Sequence, residues 1–247
     1  MSKKNILAIL IAICIGTSAS TTEISFGSKT IAALSREDLL IDGVSTKYAL
    51  GGTGFTFGAK ITDKFAVSAT YLKSYYPKYS TRYKGTRLTG DLTGHFSELS
   101  ANYKLLNYKK LNLNLAASLG EGKQGSQSMS GTKNNTPVLA SSESEIKKTD
   151  WSLLTNLNLS NGGIVGLGIG LTNWRIRAQG NSFIEVEGDI ATIKKDVQTS
   201  SYDPFYDLTY TKAAANFDWK IGYRLSKLTS DIVTEADQVS LSVKFKF

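Results

Sequence analysis

The sequence predicts an all-β fold: a closed, antiparallel, transmembrane up-and-down β-barrel of about eight to ten strands, ten favoured. Three observations predict it. Residues 238–247, QVSLSVKFKF, put Val239, Leu241, Val243, Phe245 and Phe247 on one face and Gln238, Ser240, Ser242, Lys244 and Lys246 on the other. Such period-2 alternation marks a strand with one apolar and one polar side, and about ten tilted residues suffice to cross a bilayer. The same alternation recurs along the chain, in segments joined by alternately tight and long connections. Beyond the N-terminus, finally, no stretch reaches the ~18 apolar residues of a membrane helix. A membrane protein without such helices must close its sheet, because lipid leaves an open edge unsatisfied.

The N-terminus supplies the address. MSKK is a positive start, ILAILIAICIG a short apolar run and TSAS a set of small residues. That order is a secretory signal peptide over residues 1–20, cleaved after Ala19 or Ser20, which leaves residues 21–247 as the barrel domain. Cys14, the single cysteine, lies in the apolar run, behind Ile13 where lipidation would need a small residue. The exported chain then has no thiol for a disulfide, a nucleophile or a metal. Lys+Arg is 29 against 21 Asp+Glu, a formal net charge of +8 in 247 residues. A basic balance suits nucleic acid, anionic membrane or acidic ligands, and export removes nucleic acid from that set. With one histidine and no phosphate loop after a strand, no metal site and no cofactor are expected.

Taken in order, residues 22–31 read as a weak first strand with Ile24 and Phe26 outward. Ser35 and Asp38 then have the spacing of a helix N-cap, which predicts a short helical turn. The clearest hairpin follows: Phe55, Phe57, Ala59 and Ile61 outward, a turn at residues 62–64, then Phe65, Val67, Ala69 and Tyr71 outward. Residues 76–91 read as a long polar connection. Ser97, Leu99, Ala101, Tyr103 and Leu105 face outward on the next strand, residues 107–110 turn, and Leu111, Leu113, Leu115, Ala117 and Leu119 face outward on the return. Residues 121–148 and 179–207, rich in polar residues, read as long exposed loops. Between them a strand begins at Trp151, Asn161, Gly162 and Gly163 turn, and Val165, Leu167, Ile169 and Leu171 alternate outward. Trp174 and Ile176 fall out of phase, which predicts a bulge near Asn173. Phe217, Trp219, Ile221, Tyr223 and Leu225 face outward, residues 225–227 read as a tight turn, and residues 228–233 as a short ninth strand. Pro77, Pro137 and Pro204 all fall in predicted loops, as exclusion from ladder interiors requires. Trp151, Trp174 and Tyr210 are assigned to the upper aromatic girdle, and Phe57, Phe65, Tyr223 and Phe245 to the lower.

Two constellations carry candidate chemistry. Lys73, Lys78, Arg82, Lys84 and Arg87 lie among Tyr71, Tyr75, Tyr76, Tyr79 and Tyr83, with no acid between residues 64 and 90. Cations pair with phosphate and tyrosine suits a membrane interface, so these are candidate lipopolysaccharide-phosphate contacts, weighed against an ordinary girdle below a solvated loop. The inward faces place Lys60, Glu98, Lys104, Asp218, Lys220 and Arg224 in the lumen. With Lys244 and Lys246 near the periplasmic end, this set predicts a surplus of positive charge, against a bland reading of structural packing in a narrow barrel.

The terminal strand, with Phe245 and Phe247, resembles the C-terminal signal of bacterial outer-membrane β-barrels, which usually ends in Phe and is read by the barrel assembly machinery. The chain as a whole resembles small Gram-negative outer-membrane barrels of the porin-like, OmpX- or OmpA-barrel type. The resemblance implies an outer-membrane address, lipid and lipopolysaccharide as neighbours, and no catalytic residues. It leaves the oligomeric state open. His95 and Ser97 also resemble the His-x-Ser pair of outer-membrane lipid A deacylases, although the acidic partner and the wider pattern of that family are missing. Three functions are therefore weighed: a non-enzymatic surface barrel, a small anion-preferring channel, and a lipid A-modifying enzyme, in that order.

Overall fold

The computed structural model describes residues 23–33, 38–41, 44–47, 52–83, 86–133, 136–186, 189–214, 216–227 and 235–247. The expected signal peptide lies outside them. The strands are β1 (Glu23–Ala33), β2 (Asp38–Ile41), β3 (Val44–Lys47), β4 (Gly52–Lys60), β5 (Phe65–Tyr83), β6 (Thr86–Tyr108), β7 (Leu111–Lys133), β8 (Thr136–Asn158), β9 (Gly163–Val186), β10 (Asp189–Ala213), β11 (Phe217–Lys227) and β12 (Glu235–Lys246). Ten of them form one closed antiparallel barrel, β1-β4-β5-β6-β7-β8-β9-β10-β11-β12, while β2 and β3 make a short hairpin attached to β5. Closure comes from β1 and β12, where Ser25 lies opposite Lys246 and Ala33 opposite Gln238. At the very end, the Phe247 amide donates to the Ile24 carbonyl at 2.9 Å. No backbone edge is left facing lipid at this seam.

The turns on one side are tight, each for a local reason. After β4, the Thr62 hydroxyl accepts from the Phe65 amide at 3.0 Å. Lys109 takes φ 51° between β6 and β7. Gly162 takes φ 74° between β8 and β9, a backbone region that favours glycine. Tight turns belong to the periplasmic side of such barrels. On the outward face, Leu115, Leu119, Leu153, Leu167, Ile169, Leu171, Leu208, Ile221 and Leu241 are exposed and form the apolar belt. The phase expected for every one of the outward residues of β1, β9, β11 and β12 named from the sequence up to Leu171 agrees with this face.

The polar stretches correct the expected loops. β5 to β10 run for 19 to 25 residues, whereas β1, β4, β11 and β12 run for 9 to 12. A membrane needs only about ten residues per strand, so the six long strands continue well beyond it as a curved sheet. The described parts of residues 76–91, 121–148 and 179–207 are therefore ladder. Polarity misled because these strands leave lipid for water, where a polar outward face is the stable one. Pro77, Pro137 and Pro204 consequently sit in strands. Pro77 lies at a register shift between Tyr76 and Tyr79. Pro204 stands just before Phe205, the first residue of β10 matched with β11, so the edge toward β11 needs no donor there.

Other expectations change too. Asp38 belongs to strand β2, and the residues between β1 and β2 lie outside the described set. Ser226 and Lys227 end β11 instead of forming a turn, residues 228–233 are not described, and the count of ten is completed by the lower half of β10. β9 has no bulge at Asn173, since its register with β8 and β10 is unbroken there. Trp174 is 3% exposed and points inward, so it is no girdle residue. Tyr210 packs on Trp219 with ring centroids 5.4 Å apart, beside the start of β11, and so joins the lower girdle. Tyr223 lies further along β11, with its hydroxyl donating to Asp237 at 2.9 Å, away from the periplasmic end.

This topology makes a labelling test. Cysteines introduced singly by Thr132→Cys and Ser200→Cys should react with a membrane-impermeant maleimide on intact cells. Asp63→Cys, in the turn after β4, should react only after the outer membrane is permeabilised. Labelling of Asp63→Cys alone on intact cells would invert the orientation.

Candidate functional site

The lumen is built by the inward residues of the alternating strands. Of those expected from the sequence, Glu98, Asp218, Lys220 and Arg224 line one central cavity of about 370 Å³. Lys60 lines a second cavity of about 510 Å³, which shares Glu98, Asp218, Lys220 and Arg224 and reaches the periplasmic mouth at Glu23 and Asn102. Lys60 bonds Asp63 at 2.9 Å and, with help from Lys104, holds that exposed carboxyl below the usual carboxylate range. Lys104 lies at this rim, next to a register shift, and lines neither cavity.

At the upper end of the cavity, charges from five strands meet. Asp150, 4% exposed, accepts from Arg224 Nη1 at 2.6 Å, from Thr172 Oγ1 at 2.7 Å and from Lys148 Nζ at 3.0 Å. Arg224 also makes a two-pronged bond to Asp207, at 2.8 and 3.0 Å. Lys148 reaches Glu98 at 3.3 Å, and Lys29 reaches the same carboxylate at 3.7 Å. The guanidinium lies 4.0 Å above the ring of Phe205, which has no exposed surface. Thus Lys148 and Arg224, with a distant share from Lys29, face Glu98, Asp150 and Asp207. This corrects part of the expected positive surplus. The sequence reading missed Lys148 and Asp207 because it assigned them to loops, and Asp150 because it began the strand at Trp151. Extending the outward phase of Trp151 by a few residues would have placed Lys148 and Asp150 inward.

Beyond this network the bore turns apolar. Leu72, Phe96, Ile146, Trp174 and Ile176 are buried inward neighbours, and the Trp174 indole N–H donates to Asp203 at 2.5 Å. Higher still, Leu88, Leu92, Met129, Val138 and Ala140 form a buried cluster. Among the described residues the lumen is therefore lined by polar and charged groups on its periplasmic half and by buried apolar side chains above.

A different site lies on the outside. Lys73, His95 and Lys123 stand directly opposite one another across β5, β6 and β7, all on the outward face. They line a groove of about 860 Å³ with Tyr71, Tyr75 and Gln179. His95 stacks on Tyr71, ring centroids 6.2 Å apart. Lys123 reaches Glu143 at 3.5 Å, and Tyr75 donates to Asp91 at 3.0 Å. One row lower are Ser97, Glu121 and Lys147, and the next contains Leu119, which is 60% exposed. The groove thus sits just above the apolar belt, at headgroup height. No hydrogen bond joins His95 to Ser97 among the described residues, and Asp91 is engaged by Tyr75. Of the remaining candidate lipopolysaccharide contacts, Arg87 is exposed near the top of β6. Lys84 and the side chains of Lys78 and Arg82 lie outside the described residues.

The lumen network can be tested by removing its hub. Asp150→Ala leaves Arg224 and Lys148 in a buried setting with one partner fewer. Breaking a buried charge cluster this way costs about 3–5 kcal/mol. Reversible urea unfolding of the refolded barrel in detergent should show that loss, and a change below about 1 kcal/mol would mean the network is not structural.

No protein-family model matches the chain, and no curated protein is similar enough in sequence to match it. Solved structures do match in shape. The outer-membrane protease OmpT of Escherichia coli is 10% identical, with a TM-score of 0.56 over 94% of this chain and 100% of that one. The translocator domain of the autotransporter NalP of Neisseria meningitidis is 11% identical, with a TM-score of 0.46 over 99% and 95%. The attachment invasion locus protein Ail of Yersinia pestis is 10% identical, with a TM-score of 0.37 over 91% and 97%. The protein has the fold of a Gram-negative outer-membrane β-barrel, with the apolar belt that such a barrel presents to lipid.

Proposed function

We propose that the protein is a non-enzymatic, non-conducting surface barrel of the outer membrane that engages lipopolysaccharide phosphates through its outward groove. The row Lys73, His95 and Lys123, placed just above the apolar belt, carries this reading. Cations at that height meet the phosphates of the outer leaflet, and Tyr71 and Tyr75 supply the amphipathic rings that suit an interface. Lys73 has no ion pair among the described residues, which leaves its ammonium available to an anion. Arg175, opposite Lys147 on the neighbouring strands, extends the basic surface around the barrel. The channel reading finds less support, because Leu72, Phe96, Ile146, Trp174 and Ile176 occupy the bore. Phe245 and Phe247 serve as the signal to the barrel assembly machinery, and residues 1–20 as the export signal.

Lipopolysaccharide binding to the purified barrel tests the groove. Lys73→Glu combined with Lys123→Glu should weaken binding by about ten-fold or more, since removing charge partners costs 2–5 kcal/mol at a desolvated contact and less at a wet rim. Unchanged affinity would sink the proposal. In a planar bilayer the wild type should show no discrete conductance steps, and regular steps would revive the channel reading. Deleting Phe247 should lower the outer-membrane yield and increase periplasmic degradation, as judged by fractionation. Equal yields would mean the C-terminal residue is not read during assembly.

A further inference from the structure

The lumen holds charges that its own network leaves over. The central cavity is lined by Lys29, Lys148, Lys220, Arg224 and Lys244 on the positive side and by Glu98, Asp207 and Asp218 on the negative. Arg224 and Lys148 are taken up by Asp150, Asp207 and Glu98. Asp218 is taken up by Lys246 at 2.9 Å. Lys29 holds only a distant share of Glu98, at 3.7 Å. Lys220 and Lys244 have no hydrogen bond or ion pair among the described residues.

The ladder gathers these three ammonium groups on one wall. Lys29 on β1 and Lys220 on β11 both stand directly opposite Ser242 of β12. Lys244 follows two residues along the same face of β12, opposite Asp218 of β11, whose carboxylate is paired instead with Lys246 at 2.9 Å. Thr211 stands opposite Lys220 on the other side, and Thr211, Ser240 and Ser242 also line the cavity. Lys29 and Lys220 flank Ser242 from its two neighbouring strands, and Lys244 is the diagonal neighbour of both, at about 7–8 Å between backbones and within reach of long side chains, so three like charges border one cavity. Clustered cations repel one another, and an anion among them offsets that repulsion. Among the described residues the cavities extend toward the periplasmic mouth, and buried apolar side chains crowd the bore above. A conduit would need a second exit, whereas a closed end with surplus cations and hydroxyl groups is the form of a binding site.

We propose that the periplasm-facing half of the lumen binds a small phosphate-type oxyanion, held by Lys29, Lys220 and Lys244 with the hydroxyls of Thr211 and Ser242. The anion is either free inorganic phosphate or the phosphate of a small monoester, and the same ammonium groups serve both.

Isothermal titration of the folded barrel in nanodiscs with inorganic phosphate, at constant ionic strength in chloride, tests the proposal. Saturable binding is expected, weakened about ten-fold or more by Lys220→Gln combined with Lys244→Gln. Folding of the double variant is checked by the mobility of the unheated sample on a gel. Glucose 6-phosphate provides a parallel titration, and the tighter of the two ligands identifies the source. As a second measurement, Ser242→Cys should react with a small anionic methanethiosulfonate, and phosphate should slow the reaction. Absence of saturable binding to both ligands, the same affinity in the double variant, or modification indifferent to phosphate would overturn the site. The Lys73→Glu and Lys123→Glu variant should keep phosphate binding, so failure of the outer groove and failure of this site are separable.

Discussion

A sheet in lipid has no solvent for a free edge, and everything else in this protein follows from that constraint. Each exposed backbone group in hydrocarbon costs several kcal/mol, so β1 and β12 must meet. The closing ladder is short and ends on the Phe247 amide bonded to the Ile24 carbonyl. Closure fixes the strand number as even when both ends share a side, and ten strands set a narrow bore. Into that bore every second residue of every strand must point, whatever its chemistry. The charge cluster around Asp150 and Arg224 is how those inward groups are satisfied without bulk water.

The long strands cross two solvents, and their pattern inverts where the solvent changes. On β9, Leu167, Ile169 and Leu171 face lipid, whereas Trp174 and Ile176, further along, are buried inside. On β6, Tyr103 faces out and Phe96, Leu92 and Leu88 face in. In lipid the apolar side of a strand belongs outside, and above it, in water, the apolar side belongs inside. The backbone needs no bulge to achieve this on β9; only the residue types change sides. The apolar residues that stabilise the extension as a core are the same ones that crowd the bore above the charge network.

The two basic features of the molecule differ in solvent and therefore in chemistry. The outer row of Lys73, His95 and Lys123 is open to water on one side, where screening is strong and specificity needs several contacts at once. The inner lysines border one cavity, where several groups converge on the same space. A network of paired carboxylates and cations lies between that cavity and the apolar residues above, and its Arg224 stands 4.0 Å over the Phe205 ring.

Much of this was legible in the residues alone. Strict alternation in residues 238–247, the run of outward leucines from Leu111 to Leu119, and the lack of any membrane-length helix determine a closed barrel and the inward phase of Glu98, Asp218, Lys220 and Arg224. These are local properties, because a strand's two faces are set by a two-residue period. The length of β5 to β10 was not legible, since a polar strand in water and a polar loop have the same composition. Nor were the partners of Arg224. Asp150 lies 74 residues away in sequence and Asp207 lies 17 away, and only the barrel's register sets their carboxylates around one guanidinium. Ladder register across ten strands is a collective property of the closed sheet. It alone decided which inward charges cancel and which, Lys220 and Lys244 among them, remain.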